Sequence, residues 1–120
     1  MKNDLTLRTK TFSLRILEIV DLLPSSVSTR VVSYQLAKCG TSVGANYRAS
    51  RRARSDNEFV SKMNIVLEEA DETLFWLEII DEKKWISNPL LEGLCIEANE
   101  LTSIFVTILK NTKNRIKNAK

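Results

Sequence analysis

The sequence predicts an all-α chain folded as an antiparallel, up-down four-helix bundle. Apolar residues recur every three or four positions in four separate stretches, the period of a helix that lays one face against a core. Each boundary carries a proline or a group of hydroxyl and asparagine residues suited to capping the next helix. The connections are a few residues long, which suits antiparallel neighbours, and no stretch alternates with the period of two that a strand requires. The 120 residues fit one domain, residues 1–120, with helices over about 5–23, 26–48, 56–83 and 89–112 and a basic C-terminal tail.

In helix one the stripe is Leu5, Phe12, Ile16, Ile19, Val20 and Leu23, and Pro24 stops it because proline cannot continue the hydrogen-bond ladder. Ser25, Ser26 and Ser28 are alternative caps for helix two, whose stripe is Val32, Leu36, Cys39, Val43 and Tyr47. Gly40 and Gly44 stand four apart inside it, and each costs roughly 1 kcal/mol of helix propensity relative to alanine. Close approach of another backbone would offset that cost; a helix break near Gly40 is the competing reading. Asn46 borders the stripe beside Ser42, and the pair reads as structural polar residues, with Asn46 as a hydrogen-bonder linking helices.

Helix three opens at Ser55-Asp56-Asn57-Glu58, where a serine and a glutamate three residues later predict a reciprocal capping box. Phe59, Met63, Val66, Ala70, Thr73, Leu74 and Leu77 make its core face. Across the helix, Ile65, Phe75, Trp76 and Ile79 interleave with Glu68, Glu69 and Glu72. One bundle core cannot bury both sides, so these four residues are a candidate oligomer interface, worth roughly 1.5–3 kcal/mol for each side chain covered. The opposing reading has helix one curl over this face with Leu7 and Leu14. Helix four starts at Pro89 behind Ser87 or Asn88 and runs through Leu91, Leu94, Cys95, Ala98, Leu101, Phe105, Ile108 and Leu109. Its polar, basic continuation from Asn111 to Lys120 reads as a frayed tail.

Net charge is only +3, yet it is segregated. Residues 1–55 hold ten Lys/Arg against three acids, residues 56–100 three against twelve, and residues 101–120 five against none. Such blocks either steer an anionic partner or hold acidic and basic faces together. Histidine is absent, which removes the commonest general base and the imidazole metal ligand. Cys39 and Cys95 are two scattered thiols at apolar helical positions and form neither a metal constellation nor a disulfide framework. Glu68, Glu69, Asp71 and Glu72 lack the Glu-x-x-His partners of a di-metal bundle, and the glycines do not build a phosphate loop. No enzyme, metal or other cofactor is therefore expected. No apolar run spans a membrane and the charged N-terminus lacks a signal's apolar stretch, so the expected location is the cytoplasm.

The run Gly40-Thr41-Ser42-Val43-Gly44-Ala45-Asn46-Tyr47-Arg48-Ala49, the arginine-rich loop after it, Glu58-Phe59, and Glu68-Glu69-Ala70-Asp71-Glu72 ahead of Trp76-Leu77-Glu78 carry a family resemblance. The chain resembles the four-helix-bundle proteins encoded in intervening sequences of bacterial large-subunit ribosomal RNA genes. Leu23-Pro24, Gln35-Leu36 and the Ser42, Val43, Asn46 element extend the likeness over nearly the whole chain. The resemblance implies a homopentameric ring without established enzymatic activity. A related branch, the accessory proteins of diversity-generating retroelements, is similar in fold and implies association with nucleic acid. Arg48-Ala49-Ser50 stand where the commoner form often places an acidic residue and a glycine.

Arg48, Arg51, Arg52 and Arg54 are the candidate nucleic-acid-binding residues, because guanidinium forks grip phosphate oxygens bidentately. The bland reading pairs them with the acidic third helix of the same or a neighbouring subunit. No aromatic interleaves the cluster, which argues against stacking on single strands. Two functions stand side by side: an oligomeric accessory protein that associates with RNA or DNA, and a purely structural or protein-binding ring.

Overall fold

The computed structural model describes residues 4–119, which form four helices: α1 (Leu5–Leu22), α2 (Val27–Ser50), α3 (Asp56–Lys83) and α4 (Pro89–Asn118). Each start is capped by the side chain before it. Asp4 accepts from the Leu7 N–H, Ser26 from Thr29, Ser55 from Glu58 and Asn88 from Leu90. The full reciprocal box is the one at Ser26, where the Thr29 hydroxyl in turn takes the Ser26 N–H at 2.9 Å. Helix α3 ends on Lys84, which adopts the left-handed conformation (φ 55°), and the Trp85 N–H reaches back to the Ile80 carbonyl at 3.4 Å.

Helix backbones approach closely from α1 to α2, α2 to α3, α3 to α4 and α4 back to α1, and among the described residues the diagonal pairs α1/α3 and α2/α4 have no such backbone approach. Short connections make the neighbours antiparallel, in a body of 54 × 30 × 21 Å. The core holds Phe12, Ile16 and Ile19 from α1, Leu36, Val43 and Tyr47 from α2, Met63, Val66, Ala70, Leu77 and Ile80 from α3, and Leu94, Ala98, Leu101 and Phe105 from α4. Tyr47 and Phe105 stack across the diagonal, ring centroids 6.2 Å apart.

Helix α2 is unbroken at Gly40, so close approach is the correct reading. A Cβ on Gly40 would lie 2.5 Å from Ile16 Cγ2, and one on Gly44 would lie 2.8 Å from Ser13 Oγ and 3.1 Å from the Thr9 carbonyl oxygen. Ser13 Oγ donates to the Gly40 carbonyl at 2.7 Å and accepts from the Gly44 N–H at 3.2 Å, bridging α1 to α2.

Several boundaries and contacts differ from the sequence reading. Helix α2 continues two residues past Arg48 to Ser50. The expected frayed tail is instead the last turns of α4, because Thr112 and Ile116 continue the spacing of Phe105 and Leu109; Thr112 is buried and Ile116 partly so. Leu7 and Leu14 stay exposed at 61% and 55% and α1 does not approach α3, which removes the idea that helix one covers the outer face of helix three. Cys39 is buried; Cys95 is only partly so.

Candidate nucleic-acid interface

The Arg48–Arg54 segment is shaped by the end of α2 and the start of α3. The Ser50 hydroxyl is buried and donates to the Tyr47 carbonyl at 2.6 Å, while the Arg51, Arg52 and Ala53 N–H groups bond back to Tyr47, Ala49 and Ser50. The chain thus unwinds in tight steps before Ser55 starts the next helix. Glu58 does not complete the predicted reciprocal box. Its carboxylate reaches one residue further, accepting from the Arg54 N–H at 2.6 Å with the Arg54 guanidinium 3.6 Å away. That backbone hydrogen bond, helped by the Arg54 charge, holds the Glu58 carboxyl below its ordinary pKa.

Arg48, Arg51, Arg52 and Arg54 are all exposed. Only Arg54 has an intramolecular acidic partner among the described residues, the first-turn Glu58, and the Arg54 side chain is still 90% exposed. Pairing within the chain to the acidic body of helix three therefore does not occur. An arginine that the sequence reading left in a frayed tail joins them: Arg115 of α4 pairs with Asp56 at 3.1 Å. The antiparallel layout gathers the N-termini of α1 and α3 and the C-termini of α2 and α4 at one end. Residues 44–66 and 105–119, from that end of α2, α3 and α4, carry nine Lys/Arg against two carboxylates, whereas Arg8 near the start of α1 is tied to Glu97 and Glu100 of α4. The remaining described residues, 4–43 and 67–104, carry seven against thirteen. Three charge blocks along the sequence thus become two poles of the folded chain.

At the basic pole a polar, open notch of about 450 Å³ lies between the ends of α2, α3 and α4, lined by Ser50, Arg51, Ala53, Arg54, Ser55, Asp56, Phe59, Thr112 and Arg115. Arg48 and Arg52 lie outside it. Phe59 and Thr112 went unnoticed in the sequence as site residues, and Arg115 was read only as cation density in a solvated tail, although the Phe105, Leu109, Thr112, Ile116 spacing is a usable signal that the last turns are ordered helix.

The other named residues lie elsewhere. Asn46 does not link helices: its amide donates within α2, to the Ser42 carbonyl at 3.0 Å and the Ser42 hydroxyl at 2.6 Å, as its position one turn later dictates. On α3, Ile65 and Phe75 are exposed, whereas Trp76 and Ile79 are partly buried against the core, which corrects the expectation that all four stand clear of it. The Trp76 indole donates to Glu72 at 3.1 Å and meets Phe75 edge-on at 4.9 Å. Burial pushes the Cys39 thiol up to about 11, and the Thr73 hydroxyl donates to its sulfur at 3.3 Å, an environment that makes it an inert core side chain. Among the described residues no three His, Cys, Asp or Glu side chains gather to hold a metal ion, and no helix is long and apolar enough to cross a membrane.

A solved structure from Bacteroides thetaiotaomicron, described as a protein with unknown function from the S23 ribosomal protein family, is similar to this bundle. It superposes with a TM-score of 0.81 at 31% identity, covering 89% of this chain and 99% of its own. No curated protein matches the chain. The family model for the 23S rRNA-intervening sequence protein matches residues 1–107, through α1, α2 and α3 and into α4 as far as Thr107. Together with the four-helix fold, that match shows that the chain belongs to the 23S rRNA-intervening sequence protein family.

Proposed function

We propose that this chain is a non-enzymatic, oligomeric bundle of the cytoplasm that associates with nucleic acid through its basic pole. The observation that carries the reading is that Arg48, Arg51 and Arg52 are exposed without an acidic partner among the described residues, at the end where the nine cations of residues 44–66 and 105–119 outnumber two carboxylates. Such a surface attracts phosphates by counterion release, with an affinity that falls linearly in log–log form as salt rises. The absence of histidine and the inert setting of Cys39 support a binding role over catalysis. In a salt series against structured RNA and duplex DNA, replacing Arg51 and Arg52 with Ala should weaken binding and flatten the slope by up to about two units. Absence of binding by the wild-type protein at low salt would sink this reading.

A second reading, a structural or protein-binding ring, is favoured by the exposed Leu7, Leu14, Ile65 and Phe75. Ile65 and Phe75, with the outer edges of Trp76 and Ile79, form the surface proposed for contact between copies; five copies is the number implied by the family resemblance. Light scattering tests assembly: a mass of 13.7 kDa across micromolar concentrations would mean a monomer. A Trp76→Glu variant that stays fully assembled would remove this interface.

A further inference from the structure

The notch at the basic pole is more than a charged surface. It joins two segments distant in sequence, the stretch from Ser50 to Phe59 and the last turns of α4, and its lining mixes guanidinium groups with an aromatic ring and a hydroxyl. Thr112 is only 6% exposed, yet its hydroxyl makes none of the bonds to a carbonyl one turn back that Thr9, Thr41, Thr73 and Thr102 make. No side-chain polar atom is sealed in without a partner among the described residues, so this hydroxyl opens onto the notch that it lines. Phe59 lines the same space and is only partly buried. Sequence spacing places no aromatic among the arginines, but the fold brings Phe59 beside Arg51 and Arg54. A cavity of about 450 Å³ is within the range that small organic ligands occupy.

We propose that the notch receives one unpaired nucleotide of a nucleic-acid strand. Its phosphate lies on the Arg51 and Arg54 guanidinium groups, its base lies against Phe59, and the Thr112 hydroxyl hydrogen-bonds its sugar or base edge. Guanidinium forks suit phosphate oxygens, and an aromatic ring suits any base because every base has a π face. Arg115 and Asp56 line the same notch as an exposed ion pair at 3.1 Å, so their charges offset one another there. This inference rests on the basic pole being the nucleic-acid surface, and it adds that the surface distinguishes unpaired nucleotides from a continuous duplex.

The test is fluorescence anisotropy of the full chain with a labelled blunt RNA duplex and with the same duplex carrying a three-nucleotide single-stranded overhang. The overhang should bind about ten-fold more tightly at one salt concentration. Phe59→Leu and Thr112→Val should abolish that preference while keeping the salt slope on the blunt duplex. Arg54→Ala, at a side chain that packs on little, should weaken the overhang complex more than the blunt one even if a notch-floor variant folds poorly. Equal affinity for the two duplexes would overturn the notch assignment and leave the charged surface standing. Absence of binding to either would overturn both readings. Displacement of the overhang by free adenosine monophosphate at equal concentration would assign the notch to a free nucleotide and overturn the strand proposal.

Discussion

Helix α1 is held by two seams of opposite character. Toward α2, the absence of side chains at Gly40 and Gly44 lets Ile16 and the Thr9 backbone come within contact distance, and Ser13 fills the remaining polar space. Toward α4 an apolar cleft of about 240 Å³ opens over Phe12, Leu90 and Leu94. There Arg8 spans the gap, donating to Glu97 at 2.7 and 2.8 Å and to Glu100 at 2.8 Å. One seam is closed by missing atoms and the other is bridged by long charged ones. The contrast extends to glycine itself: Gly93, beside the open seam, has nothing within 4 Å of where its Cβ would be. The same residue type is a packing device in α2 and only a weakness in α4.

The largest effect should come from filling the closed seam. Gly40→Val puts a branched side chain into Ile16 and should lower stability by about 2–3 kcal/mol. An unchanged urea midpoint would mean that α1 can retreat and that the two seams are alike. The mirror substitution, Gly93→Ala, should raise stability by about 1 kcal/mol, because helix propensity improves and no neighbour is struck. A destabilised Gly93→Ala would erase the contrast between the glycines. Ser13→Ala should cost about 1 kcal/mol, the worth of a typical intramolecular hydrogen bond, seen as a shifted midpoint with an unchanged slope. Arg8→Met should cost least, about 0.5–1 kcal/mol, because the ion pairs are partly exposed and screened by water. That loss should shrink in high salt while the Ser13→Ala loss does not; parallel salt dependence would show that the seams do not differ in kind.

The helices were legible in the sequence because their stripes and caps are local signals. Phe12, Ile16, Leu36, Val43, Met63 and Leu77 are buried as their spacing requires. What was not legible depends on the neighbouring helix. Two glycines four apart look the same whether a helix breaks there or another packs on it, and only Ile16 and Ser13 decide between those outcomes. Asn46 looked like a linker because it borders the stripe, but its own helix offers Ser42 at hydrogen-bond distance. The four arginines were visible as a run. Their notch was not, since Phe59 reads as core, Thr112 and Arg115 read as tail, and bringing them together takes the whole antiparallel layout.

Ser13 also settles which residue faces which. Apolar stripes tolerate sliding: moved along its axis by one turn, about 5.4 Å, α1 would still present Phe12, Ile16 and Ile19 to a largely aliphatic surface. A hydroxyl that must sit between the Gly40 carbonyl and the Gly44 N–H has one address. Slipping by a turn would leave the hydroxyl with one glycine instead of two, between Leu36 and Gly40 in one direction or between Gly44 and Arg48 in the other. A single serine thus sets the register of two helices whose greasy faces could otherwise pair in several ways, and the ends of the bundle, including the basic pole, inherit their alignment from it.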